Sequence, residues 1–226
     1  LQTIILLIRF GQLRVAAGDG FMMVIEEPEL HVPPPLQRKL IRMMQGMATQ
    51  VVVTTHSPAV ASIPEPHQIH LISNLQGDLA AQPLAKGPLA ADANNPTRSL
   101  LLSARDATVS ALMHGSVIVP EGKLDAAWLR QLTKCSELGL IGEATTGLSF
   151  SHEVGVVPTA DARVREVYEY LRAIHPSVTC LFDGDAQGNE YTSGITRLAQ
   201  PPDRVIRWPA GWTIEHLVEW VARADA

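Results

Sequence analysis

The chain is poor in several things that would have fixed its class at once. Cysteine occurs twice in 226 residues, at Cys135 and Cys180. Both lie in apolar segments without metal-ligand spacing, which excludes a disulfide framework or cysteine-zinc site and predicts buried, reduced thiols. No apolar run approaches the ~20 residues of a membrane span. The opening LQTIILLIRF lacks the basic start and small-residue cleavage site of a secretory leader. These absences predict a cytoplasmic protein with no membrane partner. Charge of neither sign is in large excess: the net formal charge is −5, so no strongly basic surface advertises a polyanion. Carboxylates that hold cations would add negative formal charge, so nucleic acid is not excluded as a partner. The chain opens on Leu1 inside an apolar stretch, which reads as a fragment or an excised domain pair.

Hydrophobic content of 46% is ample for buried cores in one large domain or two small ones. From residue 21 short apolar runs alternate with amphipathic segments, the pattern of strands and helices wound into an α/β layer. FMMVI, QVVVTT and HQIHLIS read as strands, and PPLQRKLIRMMQGM reads as a helix opened by Pro33, Pro34 and Pro35. Residues 76–97 are rich in Gly, Pro, Ala and Asn and read as a connector. RSLLLSARDATVSALMHG then has helical spacing. Four strand–helix units follow, with strands SVIVP, EVGVVP, SVTCLFD and RVIRWP and helices starting near Lys123, Asp161, Asn189 and Thr213. They predict an α/β fold with a four-stranded parallel sheet sandwiched by helices, whose ligands gather at the carboxyl edge.

That edge is where the acids fall. VTCLFDGDAQG places Asp183 and Asp185 at the end of a buried strand, where like charges raise each other's cost of ionisation unless a cation lies between them. Glu121 and Asp125 follow the strand SVIVP, four apart and on one helix face if the helix begins near Glu121. Glu215 falls in the first turn after RWPAGWT. Helix capping accounts for such acids taken singly, but capping needs only one acid, and DGD has two. Five convergent carboxylates suit Mg2+ or Mn2+, and a pair of such ions activates water and stabilises the leaving oxygen in phosphodiester cleavage.

An apolar strand running into EGKLD, and a later strand ending in DGD before AQG, resemble the Toprim domain of topoisomerases, bacterial primases and several nucleases, over about residues 114–220. The resemblance implies a metal site built on Glu121, Asp183 and Asp185. Upstream, FMMVIEEPELHVPPPLQRKLI resembles the Walker B and D-loop region of an ABC-type ATPase, and VVVTTHSP its following strand and H-loop. This implies a metal-associated role for Glu26, a base role for Glu27 and γ-phosphate sensing by His56. No G-x-x-x-x-G-K-[ST] occurs, and the Gly122–Lys123 pair lacks the upstream Gly and the following Ser or Thr. Without that phosphate cradle ATP turnover is expected only of a longer parent.

An ABC-type ATPase half joined to a Toprim domain is the order found in the OLD (overcoming lysogenisation defect) nucleases, which the chain resembles from about residue 20 to 220. The implied organisation is 1–80 for the C-terminal part of the ATPase, 81–112 for a connector and helix, and 113–226 for the Toprim nuclease. The implied function is a metal-dependent DNA endonuclease that nicks and cleaves, regulated by ATP in the full-length protein, with homodimerisation through the ATPase part. There Asp125 joins Glu121 as a ligand, and Glu215 matches a late acidic position. A basic residue that stabilises the transition state has no clear counterpart before Ala226; Lys123 is a substitute candidate.

Two alternatives belong to other classes. D-x-D after an apolar strand also opens the haloacid-dehalogenase site, with Asp183 as a phosphotransferase nucleophile, although Gln187 stands where that family has Thr or Val. A non-catalytic fragment would hold DNA and dimerise without needing a divalent ion. Elsewhere His31, His67 and His70 fit no zinc spacing. Met43, Met44 and Met47 read as core. Arg163, Arg165 and Arg172 read as a solvated face, Tyr191 is not read as a nucleophile, and Trp208 with Trp212 reads as packing for a Pro-Ala-Gly turn.

Overall fold

A computed structural model of the protein describes residues 20–30, 32–75, 77–89, 96–141, 150–159 and 163–224. The chain divides into two compact units, residues 1–65 and 66–226. His31 and the expected helix start at Asp161 lie outside the described residues.

In the first unit β1 (Met22–Glu26) runs parallel to β2 (Gln50–Thr54), with Met22 opposite Gln50 and Glu26 opposite Thr54. The connection is α1 (Pro34–Met47), whose Pro34 and Pro35 open the first turn where amide hydrogens have no helical acceptor. Side chains alternate along a strand, so Met23 and Ile25 face the helix and pack with Leu40, Ile41, Met44 and Val60. Met22, Val24 and Val52 point to the other side and are exposed. Helical phase brings Leu40, Ile41 and Met44 inward and leaves Met43 47% exposed, so Met43 is not the core residue its apolar character suggested. The short α2 (Pro58–Ala61) follows β2.

The second unit opens with an antiparallel hairpin, β3 (His70–Leu75) and β4 (Asp78–Pro83). The expected connector therefore contains a strand, and HQIHLIS pairs within its own two-stranded sheet rather than joining a parallel layer. Gly77 takes φ 100° at the turn, and its N–H donates to the Asn74 side chain at 2.9 Å. Residues 96–112 are helical in three pieces rather than one: Pro96–Arg98, a wider π-type turn over Ser99–Ser103, and α3 (Arg105–Leu112).

The remaining strands form the four-stranded parallel sheet that the sequence predicts. They are β5 (Ser116–Pro120), β6 (Val154–Val156), β7 (Val178–Phe182) and β8 (Val205–Arg207), in the order β6-β5-β7-β8. Helices α4 (Lys123–Glu137), α5 (Val164–Ile174), α6 (Ala186–Thr196) and α7 (Ile214–Ala224) connect and flank them. Val117, Val119, Cys180 and Phe182 are fully buried, which is why the two central strands read as unbroken apolar runs. Cys180 is thus the buried thiol, and Cys135 on α4 is partly exposed; both are free.

The chain leaves β5 to one side for β6 and returns on the other side for β7. The carboxyl ends of β5 and β7 therefore flank a topological switch point, the place where α/β sheets leave a crevice. Among the described residues no helix is long and apolar enough to cross a membrane.

Candidate functional site

Glu121 follows β5 and Asp183 follows β7, so the switch point sets the two acids side by side. The Asp183 backbone N–H donates to Glu121 Oε2 at 3.0 Å. Two glycines make the surrounding backbone close in. A Cβ at Gly184 would lie 1.9 Å from the Pro209 carbonyl oxygen, and one at Gly188 would lie 2.1 Å from that of Asp183. Gly184 N–H donates to Trp212 at 2.7 Å and its carbonyl accepts from Gly211 at 2.9 Å, which anchors the 208–212 turn and with it the start of α7. The turn that Trp208 and Trp212 were expected to pack is held by these backbone bonds, and Trp208 Nε1 is buried without a hydrogen-bond partner.

The helix starts sort the acids. Asp185 caps α6, its Oδ1 accepting from Gly188 N–H at 2.8 Å. The α4 helix begins at Lys123 rather than at Glu121, so Glu121 and Asp125 do not share a helix face. Asp125 is buried and reaches back to accept from Gly122 N–H at 3.1 Å. Glu215 accepts from Thr213 Oγ1 at 2.6 Å, and that bond lowers its pKa.

Asp183 caps nothing. Its Oδ1 is buried without a donor. Burial, followed by the charges of Asp125, Glu121, Asp185 and Glu215, pushes its pKa up to about 7. The other four acids expected at the sheet edge thus bear electrostatically on the carboxyl group of the fifth, Asp183. They are not gathered into a ready ligand set: among the described residues no three His, Cys, Asp or Glu groups are placed to hold a metal ion together. The donor chemistry nevertheless fits a hard divalent cation, since the orphaned oxygen of Asp183 sits in a field that a positive charge would relieve.

Of the basic candidates, Lys123 is the first residue of α4 and is exposed. Arg207, which sequence reasoning passed over, places Nη2 3.5 Å from the Asp183 carbonyl oxygen. Arg165 pairs with Glu169 on the exposed face of α5, as expected of a solvated helix. Tyr191 accepts from Gln187 and packs 5.9 Å from the ring of Phe182. A separate cleft of about 470 Å3 beside β6 is lined by His114, Arg130 and Lys134 among others, and by none of the five acids.

The first unit carries its own constellation. Glu26 ends β1 exposed to solvent, and Glu27 follows with φ 41°, a left-handed conformation that a Cβ disfavours. No other non-glycine residue among those described has positive φ. Glu27 N–H continues the strand pairing to Thr54 O at 2.9 Å, and its carboxylate lies 3.4 Å from His56 Nε2. Glu27, Glu29, Gln37, His56 and Ser57 line an open cleft of about 520 Å3. Sequence reasoning missed Glu29 and Gln37. Glu29 is buried and accepts from Thr55 Oγ1, and Gln37 Oε1 accepts from Ser57 Oγ at 2.6 Å. The third acid of EEPE was the available signal; nothing local marked Gln37.

Comparison with curated proteins finds no match. Residues 4–62 match the family model of an AAA domain of AbiEii toxin-like type, Type IV TA system, a match that ends before the acidic edge of the second unit. The segment that carries Glu26, Glu27 and His56 is therefore similar to an ATPase-type domain.

Proposed function

We propose that the protein is a metal-dependent DNA endonuclease of the OLD type. In this reading the second unit is a Toprim-like nuclease domain, and the ATPase-like first unit regulates it in a longer parent protein. The supporting observation is the position of Asp183: locked to Glu121 through its amide, left with a donorless buried oxygen, and raised to about 7 by burial and four neighbouring acids. Structural carboxylates are normally hydrogen-bonded to donors, and a site that leaves one unsatisfied costs stability that function can explain.

Asp183, Glu121 and Asp185 would hold Mg2+ or Mn2+, with Asp125 and Glu215 completing the negative field. A hard divalent ion supplies charge against the phosphate and lowers the pKa of water. With no ion bound Asp183 exchanges a proton near neutrality; a bound divalent ion would displace that proton and leave the carboxylate as a ligand. Asp185 is held by its cap at the N-terminus of α6, and Glu121 is oriented by the Asp183 amide, so both enter the site with little rotational freedom left to lose. DNA is the proposed partner, and homodimerisation through the ATPase-like part belongs to the same reading.

Nicking of supercoiled plasmid by the full chain, dependent on Mn2+ or Mg2+ and abolished in Asp183→Asn, is the expected result. Equal nicking by that variant would overturn the assignment. One observation favours a non-catalytic, DNA-holding role instead, namely that the acids as folded do not group as a ligand set. Plasmid binding indifferent to divalent ions, with no nicking, would select that role.

A further inference from the structure

The cleft of the first unit contains a second layer of polar contacts beneath the Glu27–His56 pair. His56 is 91% exposed at its side chain and has no packing of its own to fix it. The turn that carries it is tied down at the residues on either side. Thr55 Oγ1 donates to Glu29 Oε1 and accepts from Ser57 N–H at 2.9 Å. Ser57 Oγ donates to Gln37 Oε1 at 2.6 Å, and Gln37 Nε2 donates to Val32 O at 2.9 Å. Glu29 and Gln37 are both buried, one in the loop after β1 and the other on α1. Opposite them, Glu27 is held at φ 41°. The strained residue and the exposed histidine meet at 3.4 Å above these contacts.

We propose that Glu29 and Gln37 are positioning residues that clamp the 55–57 turn from two sides, so that His56 stands against Glu27. The two act through different links, Glu29 through Thr55 and Gln37 through Ser57, and neither touches the histidine ring in the contacts described. A buried carboxylate is used at the first point although its Oε2 has no donor. Burying an acid merely to accept one hydroxyl bond is costly, and a neutral acceptor would serve stability as well or better. What the clamp uses is the link itself, which joins the loop after β1 to the turn after β2, and a neutral acceptor at 29 would make the same link. The inference rests on the reading of Glu27 and His56 as the working pair of an ATPase-like unit, but its test needs neither ATP nor DNA.

The test is NMR on the full chain, reading the nuclear Overhauser effect between the His56 ring and the Glu27 Hγ protons together with hydrogen exchange of the Ser57 amide. Thr55→Val and Gln37→Leu should each reduce the cross-peak several-fold and speed Ser57 exchange at least ten-fold. Glu29→Gln, which keeps the accepting oxygen, should retain both signals. Amides of β5 and β7 report whether the rest of the chain stays folded, and Ser57→Ala replaces Gln37→Leu should that variant fail to fold. An unchanged cross-peak in Thr55→Val and in Ser57→Ala would overturn the proposal. So would a loss in Glu29→Gln as large as in the truncations. A positive result with no plasmid nicking would sink the nuclease reading and leave the clamp standing.

Discussion

The backbone amide of Asp183 donates to Glu121 Oε2 at 3.0 Å, across 62 residues of sequence. One end of the β5–β7 pair is thereby closed by a side chain where the strand ladder has run out. The acid that closes it is also one of the four charges that raise Asp183.

Without metal, Asp183 makes stability fall as pH rises. Its folded pKa of about 7 lies above the ordinary value of 3.8, so between these limits the native state binds more protons than the unfolded chain. The stabilising difference is present below about 4 and is lost as pH rises through about 7. Denaturant unfolding in chelator from pH 4 to 8 should show this decline, and Asp183→Asn should flatten it.

His175 works in the opposite direction. It is buried with Nε2 at the His114 carbonyl, 3.0 Å away, and burial lowers its pKa below 6.5. Its contribution is complete above the unfolded value of about 6.5 and is lost as pH falls through the lower folded pKa. Replacing His175 by Gln should remove acid sensitivity in that range while reducing stability at pH 7.5 by about 1–2 kcal/mol, measured in the Asp183→Asn background to separate the two groups.

Gly188→Ala should destabilise the second unit by about 2–3 kcal/mol, because the new Cβ would sit 2.1 Å from the Asp183 carbonyl and must push α6 away from β7. Divalent-ion binding by calorimetry should weaken in parallel. Gly194→Ala on the same helix meets nothing within 4 Å and should be neutral or slightly stabilising.

Mn2+ should raise the melting temperature of the full chain, as any ligand of the native state does, the gain in unfolding free energy being about 2.7 kcal/mol at a hundred times its Kd. Glu121→Gln and Asp183→Asn should each remove the effect. A shift that survives in both variants would place the ion elsewhere.

Glu27→Gly should raise stability by about 0.5–1 kcal/mol, since φ 41° is free of cost without a Cβ. The same change deletes the partner of His56, so a more stable and functionally silent protein is the expected outcome.

Much of the acidic edge was legible because VIVP and CLF are buried on both faces and so read as unbroken apolar runs. Once those runs are parallel strands, Glu121 and Asp183 must emerge together. What each acid does there was less legible. Asp125 and Asp185 are claimed by helix caps whose start depends on one or two residues, Gly122 and Gly188, and boundaries at that scale are decided by local hydrogen bonds. DLAAQP hid as a strand because it has few branched or aromatic side chains; pairing with HLISNL, not propensity, makes it one. The partner of Glu29 was hidden for a related reason, Thr55 lying 26 residues away.

The bare side of the β1–β2 sheet has a practical consequence at the bench. Met22 and Val24 are 61% and 65% exposed and lie beside Val52 on the same surface, an oily strip that water wets poorly. Concentrated samples should cluster reversibly through it, with light scattering that rises under sulfate and falls when Val24 is changed to Lys.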